Sequence, residues 1–181
     1  MKKLFIIGIF TLFIQRADAQ FSKADLQATG LTCAMCSNAI NKALQKVSFV
    51  ESVESDIKNS SFAIVFKKDA VVNIDALKEA VEDAGFSVGG LRLTGLFNEV
   101  KIASDQHIKI GNSHFHFISV KDQVLNGEKT VTVVDKNFIS EKQFKKYSSA
   151  TKMDCIRTGK AGTCCRNEGL AEGERVFHVT I

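Results

Sequence analysis

Residues 30–40 read GLTCAMCSNAI, a glycine followed by two cysteines three positions apart and by the start of an apolar repeat. The repeat has helical spacing, and its members are Ile40, Ala43, Leu44 and Val47. The stretch therefore predicts that Cys33 lies in a loop and that Cys36 lies near the first turn of an amphipathic helix. Two sulfur atoms at such a place can form a structural disulfide, a redox couple or a pair of metal ligands.

Patterns on both sides of this stretch predict one strand before the helix and two after it. Leu26 and Ala28 alternate with polar residues and lead into the cysteine loop. Residues 53–58 and 62–66 read as two strands that turn at Asn59-Ser60, and the second of them is rich in β-branched and aromatic residues.

A second helix and a fourth strand complete the order. Asn73 provides a cap and Gly85 a stop, and the apolar face between them comprises Leu77, Ala80, Val81 and Ala84. Residues 88–93 follow as a strand in which Gly89-Gly90 indicates a bulge or bend. The order β-α-β-β-α-β predicts an α+β domain of ferredoxin-like architecture, with two helices on one face of a four-stranded antiparallel sheet.

The first residues have the pattern of a signal peptide. Lys2 and Lys3 precede an apolar run over residues 4–14, which is too short to span a bilayer, and Ala17-Asp18-Ala19 provides a small-x-small cleavage site. We expect cleavage after Ala19, which removes residues 1–19 and leaves an exported protein, periplasmic or secreted. No later run approaches the roughly 20 apolar residues of a membrane helix, so we expect no membrane span in the mature protein.

The net charge gives no support to nucleic-acid binding. Removal of residues 1–19 lowers the formal charge from +4 to +2, because it takes away three basic residues and one acidic residue. A nucleic-acid-binding domain typically carries a clustered basic surface and a much larger positive charge.

The second half of the chain has a different pattern after Thr94-Gly95. Strand-like runs occur at residues 99–103, 107–110, 114–120, 130–134 and 175–181. Asn126-Gly127 indicates a turn between two strands, and Ser140 with Gln143 has the spacing of a capping box at the start of a short helix. We therefore expect two domains, a ferredoxin-like one at 24–94 and a mostly β one of unknown role at 97–181, possible as a small OB-like barrel.

Two cysteines without a histidine or carboxylate beside them favour a soft metal ion. Thiolates rather than thiols bind metals, and the partial positive charge at a helix N-terminus favours the thiolate. Cu(I) fits a two-sulfur site best, and Hg(II), Cd(II) and Zn(II) fit it less completely. A structural zinc site takes four ligands, and the chain contains no second C-x-x-C that would supply them.

A thiol-disulfide oxidoreductase using the same cysteines is the alternative from the enzyme class. Thioredoxin-like enzymes place a cis-proline opposite their cysteines, and this chain contains no proline. A structural disulfide is also disfavoured, because a bridge across three positions closes too short a loop to remove much chain entropy. No motif indicates hydrolysis or phosphoryl transfer, and we expect a protein that is not an enzyme.

The cysteine loop over residues 30–36, the helix after it and Ala84-Gly85-Phe86 together resemble the heavy-metal-associated domain of copper chaperones, copper-transporting P-type ATPases and the exported mercury-binding protein. The resemblance covers residues 25–93. It implies that Cys33 and Cys36 are metal ligands, that Leu31 packs beneath the loop in place of the family's usual methionine, and that Phe86 shields the loop.

The same resemblance implies a metallochaperone that exchanges its ion with a donor or acceptor protein carrying a soft-ligand site. A further hypothesis, from the interaction class, is that the metal domain only senses a metal or tethers the protein while the β region binds a partner.

Three more cysteines lie close together in the second half, namely Cys155, Cys164 and Cys165. In an exported protein, one expectation is a disulfide from Cys155 to either Cys164 or Cys165, which leaves one cysteine over. The other is a second soft-metal site, in which the thiols join a histidine or Met153.

Two histidines are candidates for that second site. His114 and His116 are two positions apart on a predicted strand, so their side chains point to the same face and can converge on one ion. His107 and His178 show no comparable spacing and give a weaker signal.

Overall fold

The computed structural model describes residues 19–31 and 33–181, apart from the side chain at position 167. The predicted signal peptide lies outside these residues except for Ala19. The elements are β1 (Gln20–Thr29), α1 (Ala34–Gln45), β2 (Val50–Asp56), β3 (Ser61–Phe66), α2 (Ile74–Asp83), β4 (Ser87–Ile102), β5 (Gln106–Ile110), β6 (Ser113–Phe117), β7 (Gln123–Val133), α3 (Glu141–Ser148), α4 (Cys155–Thr158), a 3₁₀ segment (Thr163–Glu168) and β8 (Val176–Thr180).

The first six elements form the predicted ferredoxin-like arrangement. β1 pairs antiparallel with both β3 and β4, and β2 pairs antiparallel with β3. One core unites the buried side chains of the two helices with those of the strands, among them Ile40, Leu44, Leu77, Val81, Leu26, Phe62 and Leu91. The predicted cap of α2 is present, because the backbone N–H of Ala76 donates to Asn73 Oδ1 over 3.3 Å.

β4 is a single strand of 16 residues that belongs to both halves of the chain. Its residues 87–96 pair with β1, and its residues 92–102 pair with β7. The change of pattern at 94–97 therefore lies inside a strand and not in a linker. Gly95 has a different purpose there: a Cβ at this position would lie 2.4 Å from the carbonyl oxygen of Gln20, so only glycine permits the close approach of the two backbones.

The C-terminal strands extend the same sheet. Its strand order is β2-β3-β1-β4-β7-β8-β6-β5, and among the described strands only the β6–β8 pair is parallel. The OB-like barrel is not confirmed, because in the described residues the strands form one sheet with β2 and β5 at its edges. No helix in the described part of the chain has the length and apolar content that crossing a membrane requires.

The turn expected at Asn126-Gly127 is wrong, since both residues lie within β7. Gly127 has a φ of 75°, Glu99 on the facing strand has a φ of 49°, and the register shifts between Phe97 and Val100. A glycine with positive φ is equally suited to a β-bulge, which bends a strand without reversing it.

Two other local predictions are confirmed. The register between β1 and β4 shifts between Gln27 and Ala28, opposite Gly89-Gly90, where a bulge was expected. Helix α3 begins with the predicted capping box: the backbone N–H of Gln143 donates to Ser140 Oγ, and the backbone N–H of Ser140 donates to Gln143 Oε1.

Arg175, just before β8, ties the C-terminal segment to α2. Its guanidinium donates to both carboxylate oxygens of Asp75, over 2.8 and 3.1 Å, and to Asp135 over 3.3 Å. It also lies over the ring of Phe177, 4.0 Å from the centroid. Burial alone would lower the pKa of Arg175, but the hydrogen bonds and charges of the two aspartates raise it above its usual value.

We expect Arg175→Met to lower the free energy of unfolding by about 2 kcal/mol, because it leaves the buried Asp135 carboxylate without its cation. Arg166→Met is the matched control, since Arg166 pairs at 2.8 Å with Glu172 at the exposed surface, where a pair contributes less than about 1 kcal/mol. Urea unfolding of the reduced, metal-free protein measures both values, and equal losses would contradict the prediction.

Candidate metal centres

The first cysteine pair lies where β1 gives way to α1. Cys33 is the N-cap of α1 and has an extended backbone, with φ −157° and ψ 163°. Its carbonyl oxygen accepts the backbone N–H of Cys36 over 3.1 Å and that of Ser37 over 3.3 Å. Cys36 therefore lies in the first helical turn, as the sequence predicts.

The sulfur atoms of Cys33 and Cys36 lie 2.8 Å apart. Cys33 is exposed and Cys36 is partly buried. The first turn of α1 contains no acidic residue, and the side chain of Cys33 makes no capping hydrogen bond to the helix. The pair thus presents two soft donors at the positive end of a helix dipole, with no carboxylate from that turn to compete for a metal ion.

Apolar residues support the base of this loop. Leu31 and Phe86 are partly buried and pack against the core. Gly30 turns the chain with a φ of 82°, and a Cβ on it would lie 3.9 Å from Phe86 Cδ1. Phe86 consequently lies beside the entry to the cysteine loop, just beyond the end of α2.

A second group of donors lies at the other end of the sheet, where three histidines stand side by side. His107 of β5 is in register with His116 of β6, and His116 is in register with His178 of β8. All three side chains are buried. The rings of His107 and His116 stack with centroids 4.5 Å apart, and His178 meets His116 edge-on at 5.2 Å.

Each of these histidines has one ring nitrogen beside a carboxylate. The pairs are His107 Nδ1 with Glu168 Oε2 (2.6 Å), His116 Nε2 with Asp105 Oδ1 (3.2 Å) and His178 Nδ1 with Asp135 Oδ1 (2.5 Å). A carboxylate only accepts hydrogen bonds, so the nitrogen that faces it carries the hydrogen and the other nitrogen of a neutral ring has a lone pair. Among the described residues, the buried Nε2 of His178 has no hydrogen-bond partner.

Three thiols pack against this row of rings. Cys155 Sγ lies 3.7 Å from His107 Nε2 and 3.6 Å from His116 Nδ1, and Cys165 Sγ lies 3.6 Å from His107 Nε2. Cys164 Sγ is 3.3 Å from Cys165 Sγ. The donor atoms of His107, His116 and Cys155 all lie within 4.8 Å of one another, and so do the three sulfurs.

Burial controls the protonation of this cluster. It raises the pKa of Cys155 and of Cys165, and it lowers the pKa of His116 to about 3. It also lowers the pKa of His107, although the hydrogen bond that His107 donates to Glu168 acts in the opposite direction. For Cys164, burial acts to raise the pKa, but hydrogen bonds, beginning with that from the backbone of Cys155, outweigh it and lower the pKa.

The structure brings together four of the residues predicted for a second site: Cys155, Cys164, Cys165 and His116. Met153 packs beside them. His114 does share a strand face with His116, but its Nε2 lies 3.5 Å from Glu174, and His107 takes the place among the thiols that the sequence suggested for His114.

A turn signal in the sequence indicates that His107 lies opposite His116. Gly111-Asn112 connects β5 to β6, and Gly111 has a φ of 57°. A two-residue Gly-Asn turn is typical of a β-hairpin, and it sets the register of the strands that it connects. That register places His107 opposite His116, whereas His114 lies opposite Lys109.

A family model for the heavy-metal-associated domain matches residues 25–87. The chain is 33% identical over 86 residues to the mercuric transport protein periplasmic component of Acinetobacter calcoaceticus, an alignment that covers 48% of this chain and 93% of that protein. The chain belongs to the heavy-metal-associated domain family.

Other members of the family have names that refer to copper. The chain is 32% identical over 63 residues to the copper chaperone CopZ of Staphylococcus haemolyticus, which covers 35% of this chain and 91% of the chaperone. It is 30% identical over 69 residues to the probable copper-transporting ATPase HMA5 of Arabidopsis thaliana, of which it spans only 7%. The alignment with a solved structure of a CopZ metallochaperone covers 37% of this chain and 98% of that chain, at 28% identity and a TM-score of 0.35.

We expect the cysteines of the reduced, metal-free protein to differ in their rate of alkylation by iodoacetamide. Cys33 and Cys164 reach the surface, whereas Cys155 and Cys165 are buried and have a raised pKa. Cys155 and Cys165 should therefore react at least about tenfold more slowly than Cys33 and Cys164. Peptide mapping by mass spectrometry gives each rate. In the control, under denaturing conditions, all the cysteines should react alike, and equal rates in the folded protein would contradict the assignment of burial.

Proposed function

We propose that the heavy-metal-associated domain of this chain binds one soft metal ion, Cu(I) before others, through Cys33 and Cys36 and passes it to a partner protein. The observation that carries this proposal is the pair of sulfur atoms, 2.8 Å apart, at the exposed start of α1. Membership in the family supports it, since relatives include a copper chaperone and a copper-transporting ATPase.

The ligand chemistry favours Cu(I) as the cargo. Thiolates are soft ligands, and Cu(I) accepts a site with only two of them, whereas Zn(II) in a protein usually takes four ligands. Cys33 and Cys36 are the thiols at the start of α1, and its first turn has no acidic residue that would favour a harder ion. A two-ligand site leaves room in the coordination shell of the ion for an incoming ligand.

Transfer of the ion to a partner depends on this open position in the coordination shell and on the exposure of Cys33. A thiolate of the partner approaches the exposed side of the ion and binds it, after which one of the two domain thiolates leaves. Repetition with a second partner thiolate moves the ion completely. The ion is never free in water, so the partner needs a soft-ligand site of its own and a surface that brings the two sites together.

Mercury is the second candidate cargo. The relative that shares 33% identity with this chain, and of which the alignment covers 93%, is named a mercuric transport protein periplasmic component. Hg(II) is as soft as Cu(I) and also accepts two thiolates. Together with the predicted signal peptide, this relative supports a periplasmic location for the mature protein.

We expect the reduced protein to bind one more equivalent of Cu(I) than the Cys33→Ser/Cys36→Ser variant when both compete anaerobically with a calibrated Cu(I) chelator. The affinity of this site should fall by more than about 100-fold, because the variant lacks both ligands and the loss of a group that only hydrogen-bonds to a ligand already costs about 10–100-fold. The control is Ala34→Ser, which alters the exposed first residue of α1, between the two cysteines, and keeps both sulfurs. Equal Cu(I) binding by wild type and the double variant would overturn the proposal, and the same titration with Hg(II) ranks the two ions.

The exchange mechanism predicts that transfer accelerates with the concentration of acceptor. We expect Cu(I) to move from a loaded chain to an isotope-labelled, metal-free copy at a rate proportional to the concentration of that copy. The reason is that a thiolate of the acceptor binds the ion before a thiolate of the donor dissociates from it. The amide signals of residues 34–37 of the labelled copy follow the transfer by NMR. A labelled Cys36→Ser acceptor should take up the ion more slowly. A transfer rate that does not depend on the acceptor concentration would instead indicate that the ion is first released into water.

A further inference from the structure

The buried cluster of cysteines and histidines in the C-terminal half has no part in the proposed function. We propose that His107, His116, Cys155 and Cys165 form a second metal site, which takes a d¹⁰ ion that accepts both thiolate and imidazole, with Zn(II) as the best match. This proposal is independent of Cys33 and Cys36, because its four side chains come from β5, β6, α4 and the 3₁₀ segment.

The distances between donor atoms match those around a tetrahedral ion. Three of the four sulfur–nitrogen pairs lie in direct contact, Cys155 with His107 and His116 and Cys165 with His107, at 3.7, 3.6 and 3.6 Å. With Zn–S near 2.3 Å and Zn–N near 2.0–2.1 Å, a tetrahedral angle separates sulfur from nitrogen by about 3.6 Å. Cys155 is therefore already spaced as a co-ligand of both histidines, and Cys165 as a co-ligand of His107.

Both imidazoles are oriented from behind by a carboxylate. Glu168 accepts from Nδ1 of His107, and Asp105 accepts from Nε2 of His116, so the lone pairs at His107 Nε2 and His116 Nδ1 face the thiols. The same Glu168 oxygen also accepts the backbone N–H of His107 over 2.7 Å, which holds the carboxylate in place. A carboxylate–histidine arrangement of this kind is typical of protein metal sites, where it selects the tautomer and raises the basicity of the ligand.

Hydrogen bonds between thiols and imidazoles do not account for all of these contacts. Cys165 can donate its one proton to His107, and Cys155 can donate its one proton to His116. The contact between Cys155 and His107, 3.7 Å long, then has no proton to share, because the lone pair of His107 Nε2 already accepts from Cys165. An ion that replaces the two thiol protons accounts for this contact as well as for the other two.

The balance of charge favours a divalent ion over Cu(I) in this place. Cys155 and Cys165 are 1% and 0% exposed, and both imidazole side chains are fully buried. When Zn(II) replaces the two thiol protons, two thiolates and two neutral imidazoles surround it and the net charge of the site is zero. Cu(I) with the same ligands leaves one negative charge buried, which is costly in an apolar interior.

An ion held here would join the segment of α4 and the 3₁₀ segment to the hairpin of β5 and β6, which the hydrogen bonds of Glu168 to His107 already connect. Cys155 begins α4, a helix of only four residues, and Cys165 lies in the short 3₁₀ segment, whereas the histidines belong to the hairpin of β5 and β6. A metal ion among them therefore fastens the C-terminal segment to the sheet. Cys164 is partly exposed and 3.3 Å from Cys165, so it offers an entering ion its first sulfur.

The test uses the full chain with Cys33→Ser/Cys36→Ser, reduced and freed of metal, so that the amino-terminal site does not contribute. We expect it to retain one equivalent of Zn(II) after gel filtration, and further substitution Cys155→Ser/Cys165→Ser should abolish that retention. His116→Gln should weaken Zn(II) binding by at least tenfold, Glu168→Gln by tenfold or more, and His114→Gln, the matched control on the same strand face, by less than threefold.

X-ray absorption at the zinc edge keeps the proposal testable if a variant fails to fold, since it needs no substitution within the cluster. Two sulfur and two nitrogen ligands are expected. Binding of Cu(I) in place of Zn(II) to the same residues supports the site and changes its ion. The proposal is overturned if the reduced chain with Cys33→Ser/Cys36→Ser retains neither ion, or if the bound ion has no sulfur ligand. It is also overturned if His114→Gln and His116→Gln weaken binding equally.

Discussion

Strand β4 hydrogen-bonds to β1 along its first part and to β7 along its second, and the arrangement of the whole molecule depends on this sharing. β1 carries the chain into the cysteine loop, and β7 leads through β8 to the strands that hold the histidines. Because one strand takes part in both pairings, the ferredoxin-like unit and the C-terminal strands form a continuous sheet. The two groups of cysteines are held at separate places on that sheet.

The two groups differ most in their access to water, and this difference separates the functions that we propose for them. Cys33 is exposed at a helix start, where an ion can be reached by the ligands of another protein. Cys155 and Cys165 are buried together with the imidazole of His107, so they are not exposed to the ligands of another protein. The proposed coordination numbers differ in the same way, because a site with two protein ligands favours exchange of the ion and a site with four favours its retention.

Local sequence patterns predicted the helices well where a short-range interaction determines where a helix begins or which face it buries. The apolar repeat after Cys36, the cap at Asn73 and the capping box of Ser140 and Gln143 each act within one or two helical turns, so the sequence shows them directly. Glycine signals were harder to interpret. Gly127 has the positive φ that a turn also requires, but its facing strand is distorted at the same level, and the result is a bulge.

The sequence by itself determined the order of the first six elements, the place of Cys33 and Cys36 at the start of a helix and the family to which the chain belongs, because all of these depend on neighbouring residues. It also indicated that Cys155, Cys164 and Cys165 belong together. Only the tertiary structure decided that His107, and not His114, stands beside them, since strand register and the packing of α4 against the sheet bring together residues far apart in the chain. It likewise decided that β4 continues through Gly95, because the close approach of Gln20 is a contact between distant backbones that no local pattern shows.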